Sequence, residues 1–176
     1  MRKFESGLLI AKKKMEESIW FKGWPSEQIE HIIKISHLRK FSKGDLVYRD
    51  GEESVLALLI TGSVWTCLRQ DTTQVKYGML FAGSLVGLAQ LVRRNVPDEP
   101  CYEFIAAENT LALAMPQAAL LEVMNARPQL WRGIAESAIL YQRHCIKTAL
   151  LLYTGSTRER LISALYQFGV SRSIVP

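Results

Sequence analysis

Apolar residues recur with different periods in three stretches of the chain. Up to residue 36 the spacing is helical over two segments, roughly 5–20 and 26–36. In the second, Pro25-Ser26-Glu27 supplies a helix start ahead of an apolar face of Ile29, Ile32, Ile33 and Ile35. From Leu38 to Pro116 the texture changes to short runs rich in Val, Leu, Tyr and Phe. Residues 45–48, 56–60 and 63–68 are strand-sized, and Gly44, Gly51, Gly62, Gly78, Gly83 and Gly87 punctuate them. No long helical pattern intervenes, so these strands are expected to pair as an antiparallel roll or sandwich rather than as alternating β-α units. After Met115-Pro116 the helical period returns. Residues 117–125 form a short helix, Arg127-Pro128 interrupts it, and residues 129–153 run on without a proline.

That last segment carries a seam. Trp131, Ile134, Ala138, Tyr141, Cys145, Thr148 and Leu152 follow alternating steps of three and four residues, as along a coiled coil. A second row of Ala135, Ile139, Ile146, Ala149 and Tyr153 widens the face beyond what one small roll would cover. A partner helix is therefore expected, and residues 129–153 are expected to pair two copies of the chain as a homodimer. Residues 154–156, Thr-Gly-Ser, read as a hinge. Residues 157–168 read as a final amphipathic helix with Leu161, Ile162 and Leu165 on one side.

Composition narrows the classes. Of the 176 residues 48% are hydrophobic and 22% charged, ordinary usage for a folded domain, and the net charge of +5 permits nucleic-acid binding without requiring it. Cys67, Cys101 and Cys145 are an odd number with no CxxC pair, which fits reduced thiols rather than a disulfide frame or a zinc site. The apolar run at residues 7–11 is cut short by Lys12, Lys13 and Lys14, too short for a signal or a span, so the chain is expected to be cytoplasmic and not to engage a membrane. No P-loop, nucleophile elbow, HExxH or paired carboxylate stands in a plausible context, so no enzymatic activity and no cofactor are expected.

The stretches Phe41-Ser42-Lys43-Gly44-Asp45, Asp50-Gly51-Glu52, Leu59-Ile60-Thr61-Gly62-Ser63-Val64 and Phe81-Ala82-Gly83-Ser84-Leu85-Val86-Gly87, in that order, resemble the glycine-punctuated frame of the cyclic-nucleotide-binding-like sensor domains of bacterial Crp/Fnr transcription regulators. The resemblance covers about residues 26–168. It implies an α+β fold: a jelly-roll-like antiparallel β-roll with N-terminal helices and a long C-terminal dimerisation helix. It divides the chain into a sensor at 1–128, a dimerisation helix at 129–153, and a hinge with the start of a DNA-binding region at 154–176. It also implies a ligand pocket in the roll, at Gly83, Gly87, Leu88, Ala89, Cys101 and Tyr102.

In family members that bind cyclic AMP, the loop after the position of Gly87 offers a carboxylate to the ribose, and an Arg further on holds the cyclic phosphate. Here Leu88-Ala89-Gln90 follows Gly87, and the position matching the Arg falls near Cys101. The expectation is therefore a regulator that does not respond to cyclic AMP, with an unidentified small-molecule effector. The alternative is a stand-alone ligand-binding or protein-interaction module. In the tail, residues 169–175 are similar to the turn and first residues of a recognition helix, with Ser171 on phosphate and Arg172 on a base edge. Pro176 follows at once, so DNA binding is expected only of a longer form with a complete helix-turn-helix.

Overall fold

The computed structural model describes residues 2–51, 55–70, 72–91 and 101–162. Helix α1 (Arg2–Glu17) leads through a 3-10 turn at Ile19–Phe21 to α2 (Ser26–Ile35). Ser18 opens the turn by accepting a hydrogen bond from the Trp20 amide at 3.3 Å. Eight strands follow: β1 (His37–Phe41), β2 (Leu46–Arg49), β3 (Val55–Thr61), β4 (Ser63–Gln70), β5 (Thr73–Phe81), β6 (Leu85–Val86), β7 (Cys101–Ala106) and β8 (Thr110–Pro116). Helices α3 (Gln117–Ala126) and α4 (Leu130–Thr154) close the described fold.

All strand pairings are antiparallel, in two sheets of order β1-β8-β3-β6 and β2-β7-β4-β5. Apart from the β4-β5 hairpin, the chain changes sheet with every strand, and that crossing makes the sandwich a roll. The expected α+β roll is thus the observed architecture.

Two apolar clusters hold it. Between the sheets lie Phe41, Val47, Tyr48, Ala57, Leu59, Val64, Val86, Ala106 and Ala112. On the far side of the first sheet a larger cluster joins Leu56, Leu58, Ile60, Leu113 and Met115 to Met15, Phe21, Ile29, Ile32, Leu120, Met124 and Ile134 of the helices. The first sheet is therefore covered on both faces. That is why residues 56–60 are buried without alternation, while the second sheet, covered on its inner face, leaves residues 73–77 of β5 exposed.

The start of α4 belongs to the second cluster. Ile134 is buried, Trp131 packs against it, and the Ser137 hydroxyl donates to the Ile19 carbonyl at 3.1 Å. Gly133 allows this approach: a Cβ there would stand 3.0 Å from the Lys22 carbonyl oxygen. Past Ser137 the helix leaves the body of the domain, and Ile139, Leu140, Ile146, Leu150 and Tyr153 are exposed. After α4 the Ser156 hydroxyl and amide both donate to the Glu159 carboxylate, at 2.8 and 2.7 Å, a capping box that starts the helical residues 157–162.

Candidate functional site

The candidate site comprises the inner face of the second sheet and the turn from β6 into a 3-10 turn at Leu88–Leu91. Strand register sets its lining. Tyr48, Phe104, Thr66 and Gly78 stand opposite one another across β2, β7, β4 and β5, and Tyr102, Leu68 and Val75 make the next row. Tyr48 is buried and packs edge to face on Phe104, with ring centroids 5.8 Å apart. Gly87, at φ +85°, is where the chain turns closest to this lining, and a Cβ added there would lie 2.9 Å from the Tyr48 ring. Only glycine suits both the left-handed backbone and the contact.

Tyr77 packs on Tyr102 at 6.3 Å and opens toward solvent. Partial desolvation and the neighbouring Tyr102 push its hydroxyl above the ordinary value, against a hydrogen bond from Thr66 that lowers it. Among the described residues no Lys or Arg occupies an inner-face register position of this sheet. On the described residues of this face the lining is aromatic and hydroxylic, suited to stacking and to neutral hydrogen bonds.

The structure separates several of the residues grouped from the sequence. Gly87 faces Tyr48 inside the roll, whereas Leu88 packs into the cluster beneath the helices. Gly83 turns the chain between β5 and β6, its amide donating to the Leu59 carbonyl at 2.7 Å. Ala89 lies in the 3-10 turn. Tyr102 lines the inner face, but Cys101 has the opposite parity and pairs with Arg69 on the outer face. In α4, Trp131 and Ile134 serve the chain's own core and Ala138 is exposed. The side chains of Tyr141, Cys145 and Leu152, and the whole of Ser171 and Arg172, lie outside the described residues. Tyr48 and Tyr77 were not singled out from the sequence. The signal available was their parity along β2 and β5, which bulges at Val47 and Tyr77 disturb.

The outer face of the same sheet carries the strongest electrostatic feature. Glu103 in β7 is 1% exposed, and its Oε1 accepts from Nε of Arg49 at 2.7 Å and from Nε of Arg69 at 2.8 Å. Its Oε2 accepts from the Gln74 amide. Burial would raise the Glu103 carboxyl, but the bonds from Gln74, Arg49 and Arg69 outweigh it and hold the group below its ordinary value. Four strands meet on this one carboxylate. Among the described residues no group of His, Cys, Asp or Glu is placed to hold a metal, and no helix is long and apolar enough to cross a membrane.

These features define an antiparallel β-roll with a long helix leading out of it. The cyclic nucleotide-binding domain model matches residues 38–127, half of the chain, and the protein belongs to that family. Its fold is shared with Crp/Fnr-type transcription regulators. The Thermus thermophilus catabolite activator protein is 21% identical at a TM-score of 0.58, covering 77% of this chain and 63% of that one. The sensor domain of the transcriptional regulator DNR from Pseudomonas aeruginosa is 17% identical at a TM-score of 0.61, covering 83% of this chain and 92% of that one. The c-di-GMP responsive global regulator CLP of Xanthomonas campestris is 17% identical at a TM-score of 0.62, covering 81% and 72%. The chain thus spans less than two thirds of the Thermus protein. No curated protein matches the sequence.

Proposed function

We propose that the chain is the sensor and dimerisation portion of a cytoplasmic Crp/Fnr-like transcription regulator that does not respond to cyclic AMP. In this reading residues 1–128 form the sensor, 129–153 the dimerisation helix, and 154–176 the hinge and the beginning of a DNA-binding region. The carrying observation is the wall around Gly87: the Tyr48 ring stands against it, Leu88 turns away into the helix-side core, and the guanidinium groups of the sheet face outward. A cyclic phosphate stripped of water there would meet no opposing cation from the second sheet, at a cost of several kcal/mol. An effector for this roll would be a neutral or aromatic molecule. The regulator CLP, described as c-di-GMP responsive, supports the idea that one fold serves more than one effector.

Calorimetric titration with cyclic AMP is expected to give no binding heat. A stoichiometric signal at micromolar concentration would overturn the reading and point to Arg93 or Arg94 as the phosphate ligand. Dimerisation through α4 is expected to use the exposed row Ile139, Ile146, Leu150 and Tyr153, because the first turns of the helix are already occupied. Sedimentation should show a dimer at tens of micromolar, and Ile146→Asp should give monomer without unfolding the roll. A monomeric parent protein would refute the pairing.

A further inference from the structure

We draw no further inference here: the strongest candidate, the groove between α2 and α3 lined by Glu27, Gln28, His31, Glu122 and Arg127, carries none, because Glu27 and Arg127 pair with each other and nothing in the structure shows what would occupy it.

Discussion

Strands β3 and β8 carry apolar side chains on both parities, while β4, β5 and β7 place Arg69, Gln74, Lys76 and Glu103 on their outward parity beside Trp65, Met79 and Ile105, and turn Val64, Leu80, Phe104 and Ala106 inward. The first pair lies between the second sheet and the helices; the second group has only the inner core to cover. One sheet is thus held by packing on two faces. The other is held by packing on its inner face and by a carboxylate-centred network on its outer one. Packing tolerates no solvent and gives no outward chemistry, whereas the network leaves charge at the surface.

The widest difference should appear on removing one buried side chain from the doubly covered sheet. Leu58 is fully buried on the helix side, and Leu58→Ala is expected to lower stability by about 3–4 kcal/mol in urea denaturation. Ile105→Ala, in the outward apolar row of the other sheet, should lose less than about 1 kcal/mol. Equal losses would mean that the outer face of the second sheet is covered as thoroughly as the first.

The contrast between the sheets also decides what could be read from the chain alone. The unbroken run at residues 56–60 is legible as a strand buried on both faces, and the glycine-punctuated order gave the roll. The contact of Tyr48 with Gly87 was not legible, because it joins strand β2 to the turn after β6, 39 positions on, through register and a bulge. Glu103 sits on a parity that normally faces water, and its burial depends on Arg49, Arg69 and Gln74 arriving from three other strands. In α4 the heptad-like row expected as a dimer face begins in the core of its own chain. Trp131 and Ile134 complete the core of their own chain, and spacing cannot tell a core face from a dimer face when both ask for the same residues.

Glu103→Gln should produce the next largest effect. The change keeps the shape but removes the charge that two guanidinium groups share, and the expected loss is about 2 kcal/mol at neutral pH. The folded carboxyl titrates below its unfolded value, so its contribution is present above the unfolded pKa and is lost as pH falls through the lowered folded value. Denaturation midpoints measured from neutral to strongly acid pH should therefore converge for the parent and Glu103→Gln. A constant gap across the series would show that the network acts through shape rather than charge.

The smallest stability effect is expected from Lys76→Glu. Lys76 is exposed, and what it contributes to the fold is its place over the Trp65 ring, worth about 0.5 kcal/mol at an exposed site. The substitution removes that contact at an exposed position, so the midpoint in urea should move by no more than about 0.5 kcal/mol equivalent. If Lys76→Glu lowered stability as much as Leu58→Ala, the outer row would be part of the scaffold, and the division between a sheet packed on two faces and one packed on a single face would fall.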